Sequence, residues 1–474
     1  MLLLPSFDQV SVISDLHIGG EEGFQIFDQG QLLAAFIDDL RANAPIKSAL
    51  VINGDIVDFL AEPSAKPFDP VGAIGKLDRI FKDKQFTPVW DAIRKYVKTR
   101  RLAITLGNHD IELALPWVKD HLLGLLTDGD AAAQSRVTLA FDGSGFACTV
   151  GRSNLLCVHG NEVDTWNVTD YERLRRIASD VSQGRAVSDW TPNAGSKLVI
   201  EVMNDLKRSH AFVDLLKPEK EGAVRLLLVL EPDQRAKLRS VADVAGRRIW
   251  DGVRRTIGWL SADDPEDPDR MTDNLARIVG NVETRIDTEK LLDRAESSFR
   301  NNTNPVDLVY GQQGQQLGLW DALTALMTRS EPHEIARQAI KDIADTPVFD
   351  IDRVDDDFKR IDELVGPEYD IVVAGHTHLA RALSRTRGSG RYFNSGTWAC
   401  LMRLTDAQLG SETAFKPVFA TLQKARTIAE LGKLVGRRPT VVTVTRQGER
   451  TRASLDEVTM KGKKIISKSL AALP

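Results

Sequence analysis

Five short polar clusters, each directly behind an apolar, strand-like run, constrain this chain more than any other feature. They are Asp15-Leu16-His17, Gly54-Asp55-Ile56-Val57-Asp58, Gly107-Asn108-His109-Asp110, His159-Gly160 and Gly375-His376-Thr377-His378. The runs before them cover 10–14, 49–52, 102–106, 155–158 and 370–374. In open α/β sheets, ligands bind outside the carboxyl ends of the strands. Side chains hundreds of positions apart therefore meet along one sheet edge. Glycine in these clusters lets the backbone turn sharply as it leaves the sheet.

The stretches between the clusters fit the same plan. Apolar residues at 32, 33, 36, 37 and 40 predict a helix over 28–43, with Asp28 and Gln31 at capping-box spacing. Helical patterns return at 89–98 and from 110 to about 126, and further strands are expected at 137–141 and 146–150. From 167 to 364 the periodicity is helical. Thr169 and Glu172 have capping-box spacing there, and two amphipathic stripes, 238–257 and 271–286, flank an acidic, proline-broken loop at 262–268. Strand patterns resume at 370–374, 391–393 and 440–445. The expected organisation is an α/β core in two parts, 1–165 and 366–460, split by a helical insertion over 166–365 and followed by a basic tail, 461–474.

Composition excludes some classes. With 474 residues, 42% hydrophobic, 27% charged and a net charge of −5, the chain is an ordinary globular one and too long for a single small module. Three cysteines, 148, 157 and 400, lack metal-binding spacing and are too few for a disulfide framework, which points to a reducing compartment. The first residues lack the basic region and apolar length of a signal peptide, and no run approaches the ~20 apolar residues of a membrane span. A soluble, cytoplasmic protein is expected. From 416 to 474 there are 13 Lys and Arg against 4 Asp and Glu, so this end is basic and the rest acidic. The last lysines read as a solvated face, with an anionic partner as the lesser alternative.

Five of the eight histidines fall in the clusters. Imidazole with carboxylate is the donor set of divalent transition metals, whereas magnesium and calcium prefer all-oxygen sites. The ligands are too many for one tetrahedral ion, which suggests two. Each cluster alone is also ordinary turn chemistry; five in order, each ending a buried strand, is not.

With these residues in view, the chain resembles the calcineurin-like metallophosphoesterase superfamily, whose pattern runs Asp-x-His, Gly-Asp-x-x-Asp, Gly-Asn-His-(Asp/Glu), His, Gly-His-x-His. The resemblance covers about 7–160 and 370–397 and leaves out the insertion. It implies a four-layer α/β/β/α sandwich and metal-dependent phosphoester hydrolysis. It also implies two divalent transition-metal ions, manganese ahead of iron or zinc. One ion would take Asp15, His17 and His378, the other Asn108, His159 and His376, with Asp55 bridging. His109 would face the substrate and help protonate the leaving group, with Asp58 or Asp110 orienting it. Two ions ~3.5–4 Å apart acidify a bridging water and neutralise an in-line displacement.

The departures narrow the substrate. Protein phosphatases of this superfamily carry Arg-Gly after the second Asp and Glu after the His; here Phe59-Leu60 and Asp110 stand there. The wording around Asp15 and Asp55 is similar to the bacterial UDP-diacylglucosamine hydrolase group, which has Arg at the place of His109. SbcD-type nucleases share Gly-Asn-His-Asp. The expected substrate is a small or medium phosphodiester or pyrophosphate-type anion. A metal-dependent nuclease and a non-catalytic scaffold are the alternatives, and extended nucleic acid is not favoured by the acidic body. A basic segment around Arg247 and Arg248 reads first as a solvated helix face and second as a phosphate-facing surface. His121, His210 and His333 read as packing or surface residues. The insertion begins just past His159 and ends just before the strand to His376, so it is expected to cover the site.

Overall fold

The structure is a computed structural model. It describes residues 4–164, 166–185, 190–216, 350–462 and 464–473, with 333, 336–337 and 340–341 beside them. Two compact units divide the chain: Met1–Ala245 with Arg337–Pro474, and Gly246–Ala336. The second lies almost wholly outside the described residues, as do the two amphipathic stripes and Arg247 and Arg248.

The first unit contains strands β1 (Ser6–Phe7), β2 (Gln9–Ile13), β3 (Ser48–Asn53), β4 (Arg101–Thr105), β5 (Val137–Ala140), β6 (Phe146–Val150) and β7 (Ser153–Cys157). After the insertion follow β8 (Ile371–Ala374), β9 (Arg381–Ser384), β10 (Arg391–Asn394), β11 (Leu401–Met402), β12 (Val435–Gly436), β13 (Thr440–Gln447), β14 (Arg450–Lys461) and β15 (Lys464–Leu473). Of the two large sheets, one runs β15-β14-β13-β2-β3-β4-β5 and the other β1-β6-β7-β8-β10-β9, and β11 pairs with β12 in a small third sheet.

Alternation along β2 and β3 builds the layers. Val10, Val12, Ala49 and Val51 face the second sheet, where they meet Cys148, Leu155, Cys157, Val373 and Phe393. Ile13, Leu50 and Ile52 point the other way, into helices α1 (Gly30–Asn43), α2 (Ala73–Lys82), α3 (Thr87–Val97) and α4 (Pro116–Thr127), where Phe36, Leu77, Trp90 and Leu122 pack. Behind the second sheet, Leu156, Val372 and Tyr392 cover a helix over Asp356–Leu364 through Phe358 and Ile361. Helices, sheet, sheet and helix stack as the expected α/β/β/α sandwich. Among the described residues, no helix is long and apolar enough to cross a membrane.

Three local expectations need correction. Helix α1 starts at Gly30 without a side-chain cap, because Asp28 is taken by the Arg437 guanidinium, whose Nε lies 2.9 and 2.8 Å from its two oxygens. The helix over Tyr171–Ser182 is capped one residue later than expected, by Asp170, whose carboxylate accepts the Arg173 N–H at 3.0 Å. Thr169 Oγ1 instead accepts from Asn161 Nδ2 at 3.0 Å. The basic end is not a free tail: Gly462, with φ of +63°, turns the chain and Lys464–Leu473 pairs antiparallel with β14 as the edge strand. Exposed lysines suit such an edge, because they discourage further strand pairing.

Glu112 lies fully buried just after the His109 loop. Its Oε1 accepts the Asp69 N–H at 2.9 Å, while Oε2 has no hydrogen-bond partner. Burial pushes its carboxyl up to about 7 despite nearby Lys76. Because the folded state holds this proton and the unfolded chain releases it at lower pH, the group costs stability as pH rises toward 7. Glu112→Gln should therefore gain on the wild type by roughly 3 kcal/mol between about pH 4.5 and 7. Chemical denaturation across that range checks this, and parallel pH curves would contradict it.

Candidate metal centre

Strands β2, β3 and β4 are parallel neighbours, so the loops carrying Asp15, Asp55 and Asn108 leave the sheet on one edge. In the other sheet β7 and β8 are parallel, and they deliver His159 and His376 together. Asn53 joins the two sheets beneath the site: its Nδ2 donates to the carbonyls of Val158 (2.7 Å) and Val373 (3.3 Å). All five clusters thus converge. Asp15, His17, Asp55, Asp58, Asn108, His109, Asp110, His159 and His378 are buried, and His376 is partly so.

Backbone conformation marks the same residues. Among the described residues, seven non-glycine positions have positive φ, and five are Asp15, His17, Asp55, His376 and His378. A left-handed residue costs of order 1–3 kcal/mol and persists where its surroundings over-determine it, commonly at functional sites. Two glycines allow the close approach. A Cβ on Gly54, at φ of +83°, would overlap the His159 ring, and one on Gly107 would overlap the Asp55 carboxylate.

The donor atoms form two overlapping sets able to hold metal: Asp15, His17 and His378, and Asp15, Asp55 and His159. His17 Nε2 lies 3.1 Å from His378 Nε2 and 3.6 Å from Asp55 Oδ2; His378 Nε2 is 3.4 Å from Asp15 Oδ1, and His159 Nε2 is 3.2 Å from Asp55 Oδ2. Neighbouring ligands of one ion, bound at about 2.1 Å, stand about 3.0–3.4 Å apart. Asn108 Oδ1 is buried without a hydrogen-bond partner. An unsatisfied buried acceptor of this kind is costly and fits an ion as the missing partner. Asp15 is common to both sets, and Asp55 Oδ2 lies near His17 as well as His159. A third set, His17, Asp58 and His109, has a different character. Asp58 accepts from His17 Nδ1 through Oδ2 and from His109 Nδ1 through Oδ1, each at 3.1 Å.

The electrostatics follow from this packing. Burial opposes ionisation of Asp58 and Asp55, but His109 and His17 beside Asp58, and His159 with His109 beside Asp55, hold both carboxyls well below the usual range. Burial resists charging of His159, yet Asp55 keeps its imidazole up at about 10. Burial, then the Asp55 charge, push Asp110 up to about 8. Asp110 has a structural task. Its oxygens accept the Gly107 N–H (2.7 Å) and the Ile56 N–H (2.8 Å), pinning two loops together, and Asp58 is the carboxylate that meets the His109 ring.

Of the remaining histidines, His121 pairs with Asp78 at 2.7 Å near the surface and His210 lies beside Phe212. Sequence reasoning missed Asp164 and Asn167. They contact His376 and Asn108, yet in sequence they read as a polar loop opening the insertion. Their only signal is closeness to His159-Gly160.

Residues 9–215 match the family model of the calcineurin-like phosphoesterases. No curated protein matches the chain. The family match ends before the His376 cluster, which the second sheet brings to the site.

Gly107→Ala alters no ligand but should displace Asp55. We expect metal content per chain to fall by at least half, measured by elemental analysis after desalting. Full metal occupancy in a folded variant would contradict the close-approach role.

Proposed function

We propose that this chain, which carries a calcineurin-like phosphoesterase domain, hydrolyses a small or medium phosphodiester or pyrophosphate-type anion. The observation that carries the reading is the convergence of all five clusters at one edge, where two sets of metal-ligand atoms lie with His109 beside them. Asp15, His17 and His378 would hold one ion, Asn108, His159 and His376 the other, and Asp55 both; manganese, ahead of iron or zinc, is the metal that the resemblance to this superfamily implies. When bound, two such ions supply Lewis-acid neutralisation of phosphate charge and acidify water.

The chain's own groups do the rest. Asp58 accepts the Nδ1 proton of His109, so Nε2 is the nitrogen that exchanges a proton with substrate. As an anion, Asp58 stabilises the imidazolium form, which can protonate a departing alkoxide. A protein-phosphatase reading lacks its Arg-Gly after Asp58, where Phe59 and Leu60 are buried instead. Three free, buried cysteines suit a reducing, cytoplasmic setting.

In this reading the segment 190–216, which opens the insertion, covers the site. Val199, Asn204 and Asp214 line a cavity with His17, Asp58 and His109, and the room there is about 20 Å³, of the order of one water molecule. Asn204 Nδ2 donates to the Leu60 carbonyl at 2.9 Å, closing this segment onto the site. Substrate entry requires it to move.

A panel of small diesters, pyrophosphates, phosphomonoesters, phosphoproteins, DNA and RNA tests the proposal. Small diesters or pyrophosphates should be cleaved, activity should vanish in chelator, and manganese should restore it. Asp55→Asn should lose both metal and turnover. His109→Ala should lower turnover ~10²–10⁴-fold with metal retained. Equal metal loss in both variants would remove the role of His109, and robust nuclease activity without small-diester cleavage would overturn the substrate class.

A further inference from the structure

A metal-ligating imidazole almost always commits its other nitrogen to a hydrogen bond, and that bond sets the tautomer and the ring orientation. For His17, Nδ1 is bound to Asp58 Oδ2 at 3.1 Å. For His159, Nδ1 donates to the Asn53 carbonyl at 2.8 Å. Both anchors belong to the α/β core. For His376, Nε2 lies 2.9 Å from Asp164 Oδ2, so Nδ1 is the nitrogen that would take an ion, and its ring centre stands 5.4 Å from that of His159.

Asp164 is itself fixed. Its Oδ1 accepts the Trp166 N–H at 2.9 Å, and its Oδ2 also accepts from Asn167 Nδ2 at 2.8 Å. That bond sets the Asn167 amide, whose Oδ1 accepts from Asn108 Nδ2 at 3.4 Å. Asn108 is oriented in turn, with its buried, unpartnered Oδ1 as the ligand atom. Asn167 is buried, and its carbonyl accepts from Asn161 Nδ2 at 3.1 Å. Gly195, on the helix Ala194–Leu198, presses so close that a Cβ there would overlap the Asn167 amide.

We propose that Asp164 and Asn167 are the positioning residues of the second metal, joining its ligands His376 and Asn108 through one hydrogen-bonded chain at the mouth of the insertion. The inference rests on the two-metal reading above and adds an asymmetry to it. The side-chain bonds of this chain run to His376 and Asn108, and Asp15 meets it through the His376 N–H at 3.0 Å, so the second ion depends on it most directly. Because Gly195 seats the Ala194–Leu198 helix on Asn167, the covering segment and the second ion are physically coupled.

The test is titration of metal-free, full-length protein with manganese, following free Mn²⁺ by electron paramagnetic resonance and each site by calorimetry. Wild type should bind two ions. Asp164→Ala should leave one affinity unchanged and weaken the other ~10–100-fold. Asn167→Ala should weaken the same site by less, and Asp164→Asn, whose amide oxygen still accepts from His376, should recover part of the loss. Cobalt substitution should show an altered visible spectrum for one ion only. Should Asp164→Ala fail to fold, Asp164→Asn and Asn167→Ala decide by the same one-site loss. Equal weakening of both ions, or no weakening in a folded variant, overturns the positioning role. Wild type binding fewer than two ions would overturn the underlying reading, and this inference with it, before any variant is compared.

Discussion

The buried carboxylate of Asp55 is the interaction on which the rest of the site depends. Its Oδ1 accepts the His109 N–H at 2.8 Å, and its Oδ2 faces His159 and His17. The Asp55 carbonyl accepts the N–H groups of Leu16 and His17, both at 2.9 Å. One residue thereby ties together the loops after β2, β3, β4 and β7. Burying a carboxylate costs several kcal/mol unless charge and hydrogen bonds compensate it. Here much of the compensation comes from His159 and His17, which are proposed as metal ligands, so assembling the site and stabilising the edge are one problem.

That problem explains the strain around it. Asp15 and Asp55 are like charges in one buried space, and each raises the other's cost of ionisation. The backbone accepts left-handed conformations at five proposed ligands so that their side chains point inward. Two buried, mostly parallel strand sets provide the rigidity. Asn53, bonded to β8 and to the loop after β7, holds the two sheets in register directly below.

Much of this was legible in the sequence, for a physical reason. A strand buried on both faces reads as a continuous apolar run, and a polar cluster at its end stands out sharply against it. The five clusters therefore marked both the edge and its chemistry. Strand β14 was hidden because its exposed face carries charge, and β15 because its lysines suggested solvent rather than an edge. Asp58 and Asp110 could not be ranked from spacing, since either lies close to His109 in sequence; the contact of Asp58 with the His109 ring, and the Gly107 and Ile56 N–H groups that occupy Asp110, separate them. Asp164 and Asn167 were invisible because their importance lies in contacts 212 and 59 positions away. The stripes at 238–257 and 271–286 fall outside the described residues.

The central claim is that these loops hold two ions bridged by Asp55. Crystals grown with manganese, with anomalous data collected above and below its absorption edge, test it most directly. The account predicts two peaks ~3.5–4 Å apart with Asp55 touching both. Asp15, His17 and His378 should surround one, and Asn108, His159 and His376 the other. A single peak, or one seated among His17, Asp58 and His109, would contradict it.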